Sequence, residues 1–171
     1  MTEMIFLDTD FLSSFLVANG GSLITQLYPG RVGIPKQVLF ELKKAHFLKV
    51  QLNVFLQNES VTIFSIDEGS EASDLYWQLT TNPDEMIGKG EAAVIVLAKQ
   101  YNGVICSNNF RDVRKYSNLY RLSHKSSGDI LVEAMTEGLI TEGQGNVYWK
   151  QMLRGNRKLP CESFSDYLSN H

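Results

Sequence analysis

The sequence predicts an α/β fold, a three-layer α/β/α domain with a central, mostly parallel sheet. Three observations lead there. Short apolar runs alternate along the chain with segments of helical periodicity. Two of the runs, residues 4–7 and 103–106, are continuous in apolar character, as strands covered on both faces must be. The 171 residues, 43% of them apolar and 20% charged, suit one globular domain with a sizeable core.

Residues 4–7 read as a buried first strand that stops at Asp8-Thr9-Asp10. Phe11, Leu12, Phe15 and Leu16 then recur at helical spacing until Asn19-Gly20-Gly21 ends the helix. A short helix covers 23–28 and closes at Pro29-Gly30, and a brief strand follows at 31–34. Pro35 suits a helix start, with Val38, Leu39 and Leu42 on one face and Glu41 one turn after Gln37. Residues 47–56 are helical, and the β-branched stretch 61–66 is a strand.

Helical pattern returns over 71–79. A polar loop holding Asn82-Pro83-Asp84 then leads to Gly88-Lys89-Gly90-Glu91, which opens the clearest helix of the chain. Ala92, Ala93, Ile95, Val96 and Ala98 make it apolar on nearly every side, which predicts a central position. Ser107-Asn108-Asn109 stands at the carboxyl end of the 103–106 strand, followed by a basic helix from Phe110. Residues 119–122 are expected to form a fifth strand, and helices are expected at 128–137, 142–153 and 163–168. The whole chain, 1–171, reads as one domain in which residues from about 140 onward form a C-terminal helical extension.

Sixteen basic against 19 acidic residues give a net charge of −3, which argues against a general polyanion-coating role. Two cysteines, Cys106 and Cys161, neither staple a fold of this size nor show zinc-ligand spacing, as expected of a reduced, cytoplasmic protein. The uncharged stretch 11–30 is broken by Ser13, Ser14, Asn19, Gly20, Gly21 and Pro29, so no membrane span is expected. Glu3, Asp8 and Asp10 stand where a signal peptide would need Lys or Arg.

In open parallel sheets function sits outside the carboxyl ends of the strands. Asp8 follows the first strand, and Ser107-Asn108-Asn109 with Asp112 follows the 103–106 strand. Glu41 and Glu91 are acids set inside strongly apolar helices, where carboxylates seldom lie without a partner. If Asp8, Glu41, Glu91 and Asp112 converge, a divalent cation would neutralise them, and hard oxygen ligands suit Mg²⁺ or Mn²⁺.

Three segments carry a family resemblance: Ile5-Phe6-Leu7-Asp8-Thr9-Asp10-Phe11-Leu12, Ile34-Pro35-Lys36-Gln37-Val38-Leu39-Phe40-Glu41-Leu42, and Gly88-Lys89-Gly90-Glu91-Ala92-Ala93. They resemble the successive signatures of PIN-domain ribonucleases, the VapC-like toxin branch above all, over roughly residues 4–140. The resemblance implies a PIN-like fold and an endoribonuclease that uses Mg²⁺ or Mn²⁺, with Asp8, Glu41 and Glu91 as metal ligands. It also implies the toxin half of a toxin–antitoxin pair, with an RNA substrate, an antitoxin protein partner and a homodimeric state. The fourth position departs from the family. A Ser or Thr is usually followed two residues later by Asp, and here the sequence is Ser107-Asn108-Asn109. Asn109 binds a metal only as a neutral ligand. Asp112 is the candidate for the missing charge, because helical side chains lean back toward the N-terminus. Thr9, Ser107 and Asn109 are then a supporting shell.

Each acid also has a structural alternative. Asp8 suits an N-cap, and Asp10 is as readily a cap as a ligand. Glu41 stands three residues before Lys44, a natural ion-pair neighbour, and Glu91 lies in a first turn that favours acids anyway. Asn109 and Asp112 fit an N-terminal capping box. Four such coincidences in family order are a weaker account than one site.

Two basic runs stand out. Arg111, Arg114, Lys115, Arg121 and Lys125 face a single acid, Asp112, among Tyr116 and Tyr120, a mixture suited to single-stranded nucleic acid. Arg111, Arg114, Lys115 and Arg121 are the expected RNA-binding residues. Lys150, Arg154, Arg157 and Lys158 form a second run without an acid. Either run also reads as a solvated helix face. His46, His124 and His171 are not spaced as a metal set, and Gly88-Lys89-Gly90 is too short for a phosphate loop.

Two rival functions remain. A haloacid-dehalogenase-like phosphatase would use Asp8 and Asp10, then Ser107, then Gly128, Asp129 and Glu133. Against it, Leu12 stands where that family has Thr or Val, no apolar strand precedes Gly128, and Ser126 with Asp129 reads as a capping box. The other rival is a PIN-like binding module that lost catalysis at Asn109.

Overall fold

The computed structural model describes residues 3–171. Strand β1 (Ile5–Leu7) leads through helices α1 (Thr9–Val17) and α2 (Gly21–Leu27) to β2 (Val32–Pro35). Helix α3 (Lys36–Lys43), a 3₁₀ turn (His46–Leu48) and α4 (Lys49–Leu56) lead on to β3 (Val61–Phe64). The chain then returns through α5 (Glu71–Thr81) and α6 (Lys89–Tyr101) to β4 (Val104–Cys106), and through α7 (Phe110–Tyr120) to β5 (His124–Lys125). Helices α8 (Ser127–Thr136), α9 (Glu142–Arg154) and α10 (Phe164–Asn170) complete it.

The sheet order is β3-β2-β1-β4-β5, and every pairing is parallel, because each strand-to-strand connection contains a helix. This is the expected three-layer α/β/α arrangement. Strand β1 lies at the centre, flanked by β2 on one side and β4 on the other. The order reverses across β1, so the gap beyond the carboxyl ends of β1 and β4 is the switch point where open α/β sheets form their crevice. The register Leu7↔Cys106 sets Asp8 and Ser107 side by side at its floor.

Both β1 and β4 are wholly buried, which accounts for their uninterrupted apolar sequence. Helix α6 carries the chain back across the sheet with every residue from Ala92 to Ala98 buried. Side-chain caps start the helices that matter for the crevice: Asp8 for α1, Asn109 for α7 and Ser126 for α8. Each such cap is worth about 1 kcal/mol. Helices α9 and α10 join the same core, with Trp149, Met152, Phe164 and Tyr167 buried together. Among the described residues no helix is long and apolar enough to cross a membrane.

One element differs from expectation. Residues 119–122 form no strand: Leu119 and Tyr120 finish α7, and Arg121 turns left-handed at φ 55 to close it. The fifth strand is His124–Lys125, whose partners are Ile105 and Cys106. Two polar residues carry no strand signal of their own, and they pair because β4 offers them its free edge.

Candidate active site

Asp8 is buried at the end of β1, where its backbone N–H donates to the Cys106 carbonyl at 3.0 Å. Its Oδ1 accepts the Phe11 N–H at 2.7 Å, so it caps α1 and faces the crevice at once. Burial pushes its carboxyl up to about 7, against the Ser107 hydroxyl and the Phe11 amide, with the Asp10 and Glu41 charges adding to the rise.

Thr9, the first residue of α1, donates its hydroxyl to Glu41 Oε2. The other oxygen, Oε1, accepts the backbone N–H of Gly90 at 3.1 Å, in the first turn of α6. This is a favourable seat for a carboxylate, since helix N-termini carry partial positive charge. A side chain on Gly90 would disturb this seat by pushing the Thr9 and Glu41 side-chain ends aside. A Cβ would lie 2.9 Å from Thr9 Oγ1 and 3.0 Å from Glu41 Oε1. Lys44 does not serve as the counter-ion of Glu41 and lies over the Phe40 ring, 4.5 Å from its centroid.

Glu91 Oε2 accepts from Asn109 Nδ2 at 3.2 Å. Its other oxygen, Oε1, is buried and has no hydrogen-bond partner among the described residues. Burial, then the charges of Asp8 and Asp112, push this carboxyl up to about 8, with the Asn109 bond opposing. Asn109 Nδ2 also donates to Asp112 Oδ2 at 3.0 Å, while its Oδ1 accepts the Asp112 N–H at 3.4 Å. One neutral amide therefore caps α7 and stands between two carboxylates. Its own N–H donates to Ser107 Oγ at 3.0 Å.

Asp8, Thr9, Asp10, Glu41, Glu91 and Asn109, with Gly88 and Gly90, line one cleft of about 140 Å³. The structure thus gathers Asp8, Glu41 and Glu91 at one place, and Thr9 and Asn109 beside them. Asp112 is not on the cleft wall and reaches it through Asn109. Asp10, two residues after Asp8 and from the sequence as readily a cap as a ligand, also lines the cleft.

The four cations expected to bind RNA, Arg111, Arg114, Lys115 and Arg121, are exposed on α7 and the turn that closes it. None lines the cleft, and Lys115 pairs with Glu85. Tyr116 is buried and offers no face to a base. The phosphatase constellation is dispersed: Asp129 completes the capping box with Ser126, and Glu133 accepts from Tyr28 and Lys125. Neither residue lines the cleft.

Among the described residues no three acidic, histidine or cysteine side chains are drawn together tightly enough to form a finished metal site. Glu41 is held back by Thr9 and Gly90, and Glu91 by Asn109. The donor chemistry nonetheless fits a hard divalent cation. The side chains lining the cleft are four carboxylates, a hydroxyl and an amide; two of the carboxyl groups resist ionising unaided, and one Glu91 oxygen is buried without a partner among the described residues.

Residues 4–168 match the family model described as "DUF3368: PIN domain". No curated protein matches the chain in sequence. Among solved structures, the chain resembles one in VapBC2 from Rickettsia felis bound to a DNA fragment from the promoter, with 17% identity and a TM-score of 0.55. That match covers 72% of this chain and 98% of the other. A chain in the DNA-bound VapBC from Salmonella typhimurium is similar at 17% identity and TM-score 0.56, covering 74% of this chain and 99% of that one. These likenesses speak for the fold, and the family model spans almost the entire sequence: the chain belongs to the PIN domain family.

Proposed function

We propose that the protein is a metal-dependent endoribonuclease whose centre is the acidic cleft. The observation that supports this most is the convergence of Asp8, Glu41 and Glu91 on one cleft, with a buried Glu91 oxygen that lacks a partner among the described residues. Uncompensated carboxylates of this kind call for a cation. Asp8, Glu41 and Glu91, with Asp112 brought near by Asn109, would hold Mg²⁺ or Mn²⁺. When bound, such an ion supplies Lewis acidity toward a phosphodiester and lowers the pKa of water.

The chain's own groups set the rest. Thr9 fixes the direction of the Glu41 carboxylate, and Gly90 adds the positive end of α6 behind it. Asn109 orients Glu91 and keeps Asp112 one hydrogen bond away. Ser107 anchors the Asn109 backbone at the floor. Arg111, Arg114, Lys115 and Arg121 give the net-acidic surface a positive border for an approaching polyanion.

The likeness to chains of VapBC complexes supports a narrower reading, a toxin of the VapC type held by an antitoxin protein; a homodimeric state belongs to the same proposal. The test is incubation of the purified protein with total RNA, with Mg²⁺ or Mn²⁺ and with EDTA. Endonucleolytic cleavage that needs the metal and is lost in Asp8→Asn supports the reading. RNA left intact under every metal condition refutes it.

A further inference from the structure

The acidic cleft lies between two larger hollows with which it shares wall residues. On the α3 side is a hollow of about 610 Å³ that shares Glu41 with the cleft. Its other charged residues are all cations: Lys36, Lys43, Lys44 and Lys89. Phe40 in its wall is 65% exposed, with the Lys44 ammonium over its ring. On the α1 side a hollow of about 420 Å³ shares Asp10 and Asn109 with the cleft and takes Arg157 and Lys158 from the segment after α9.

Arg157 is placed there by a specific turn. Helix α9 closes with Asn156 in the left-handed conformation at φ 61. Asn156 N–H donates to Leu153 O and Arg157 N–H to Met152 O, both at 3.1 Å, the paired bonds of a Schellman motif. The Arg157 side chain is 22% exposed, and its Nη1 stands 4.0 Å from Asp10 Oδ1. Its Nε is buried without a hydrogen-bond partner among the described residues. The guanidinium lines the hollow with its terminal Nη1 toward Asp10, and a planar fork of this kind is suited to a phosphate.

We infer that a single strand of RNA crosses the molecule through both hollows, from the Lys36/Lys43/Lys44/Lys89 side, over the acidic cleft, to Arg157 and Lys158. This rests on the nuclease reading for the identity of the strand. The argument is charge and continuity. Cations flank the cleft on both sides and carboxylates line it, so phosphates are held at either end and only the middle one meets the acidic centre. The exposed Phe40 ring offers a base a stacking surface beside the lysines, as single-strand binders commonly do. The basic run at residues 150–158 thereby acquires a role, through its last two members.

The test is anisotropy titration of a fluorescein-labelled oligouridylate of about twelve nucleotides, a usual single-strand site length. It is done in EDTA over a range of salt, so that binding is read without cleavage. Lys43→Gln/Lys44→Gln and Arg157→Gln/Lys158→Gln should each weaken binding at least about fivefold and lower the log–log salt slope by about 0.7 for each phosphate no longer neutralised. Arg157→Lys/Lys158→Arg, which keeps both charges, should restore the slope, and thermal melting checks that each variant is folded. Wild-type affinity and slope in both Gln pairs would overturn the path, as would weakening confined to Arg114→Gln/Lys115→Gln on α7. Equal affinity for a poly-glutamate peptide of matched charge would also overturn it and make the hollows a seat for an acidic protein segment. Cleavage assays with Mn²⁺ separate the two readings. Hollow variants that bind and cleave like wild type leave the nuclease and remove the path. A wild type that binds through the hollows but never cleaves removes the nuclease and leaves the path.

Discussion

Glu41 rests its carboxylate on the backbone N–H of Gly90 at 3.1 Å, a contact between helices α3 and α6 that a Cβ on Gly90 would push apart. In an exposed helix, Gly→Ala gains about 1 kcal/mol from propensity. Here the added carbon would displace Glu41 or Thr9. Gly90→Ala is expected to lose about 1–3 kcal/mol, the usual cost of overpacking. RNA cleavage should fall at least about tenfold with it. A denaturant titration showing Gly90→Ala to be the more stable protein would disprove the tight seat.

The fourth acidic position is tested by paired substitutions. Asp112→Asn should lower metal-dependent cleavage by at least about 100-fold, or roughly 2.7 kcal/mol, because it removes one compensating charge. Asn109→Ala should cost about tenfold, in the range for a group that orients ligands. If the folded Asp112→Asn protein cleaves normally and Asn109→Ala is dead, the roles are exchanged, and Asp112 is only the partner of a helix cap.

Protons and metal should compete for the cleft. Asp8 and Glu91 are raised from 3.8 and 4.5 to about 7 and about 8, so the folded protein holds protons that the unfolded chain has released. Linkage then makes the metal-free protein less stable as pH rises from about 4 to about 8, with the full loss present above that window. Its Tm should drop by at least about 5 °C between pH 5 and pH 8. Mn²⁺ should restore the difference, and more so at pH 8. A metal-free Tm that is flat or climbs over this range would contradict the raised values.

The same carboxylates set activity against stability. Glu91→Gln keeps the shape of the side chain and removes a charge whose Oε1 has no hydrogen-bond partner among the described residues. The metal-free variant should melt higher than wild type at pH 8 while cleaving RNA at least about 100-fold more slowly. A variant that melts lower without metal would show that the Glu91 carboxylate is satisfied as it stands.

Arg121 closes α7 at φ 55, a conformation costly for any residue with a Cβ. Arg121→Gly should stabilise the fold by about 1 kcal/mol, read as a Tm increase of roughly 2–4 °C. Reduced RNA affinity in the same protein would tell whether the guanidinium also serves the positive border. A lowered Tm would show that the arginine side chain holds the turn.

Much of this architecture is visible in the sequence because its signals are local. Continuous apolar runs mark β1 and β4, and small residues from Ala92 to Ala98 mark α6 as central. Ser126 with Asp129 and the Asn109 cap are read from neighbours three residues apart. What eludes the sequence is decided at long range. His124 and Lys125 become a strand only because β4 has a vacant edge, whereas Leu119 and Tyr120 stay in the helix. Asp10 reads as readily as a cap as a ligand until Asn109 and Arg157 arrive beside it, from the end of the neighbouring strand β4 and from the C-terminal segment. Arg157 in turn looks like a solvated cation, because nothing near it in sequence reveals where the turn after α9 points.

The central place of β1 has a consequence for how the protein is made. Ile5 pairs with Val104, so β1, once synthesised, waits for about a hundred further residues before its second neighbour exists. At common synthesis rates of about 5–20 residues per second, that is roughly 5–20 s. During this time Ile5, Phe6 and Leu7 have one exposed edge and no α6 above them. The nascent chain is thus most prone to aggregate at β1 while β4 and α6 are still missing, and slower translation across residues 8–100 would lengthen that exposure rather than relieve it.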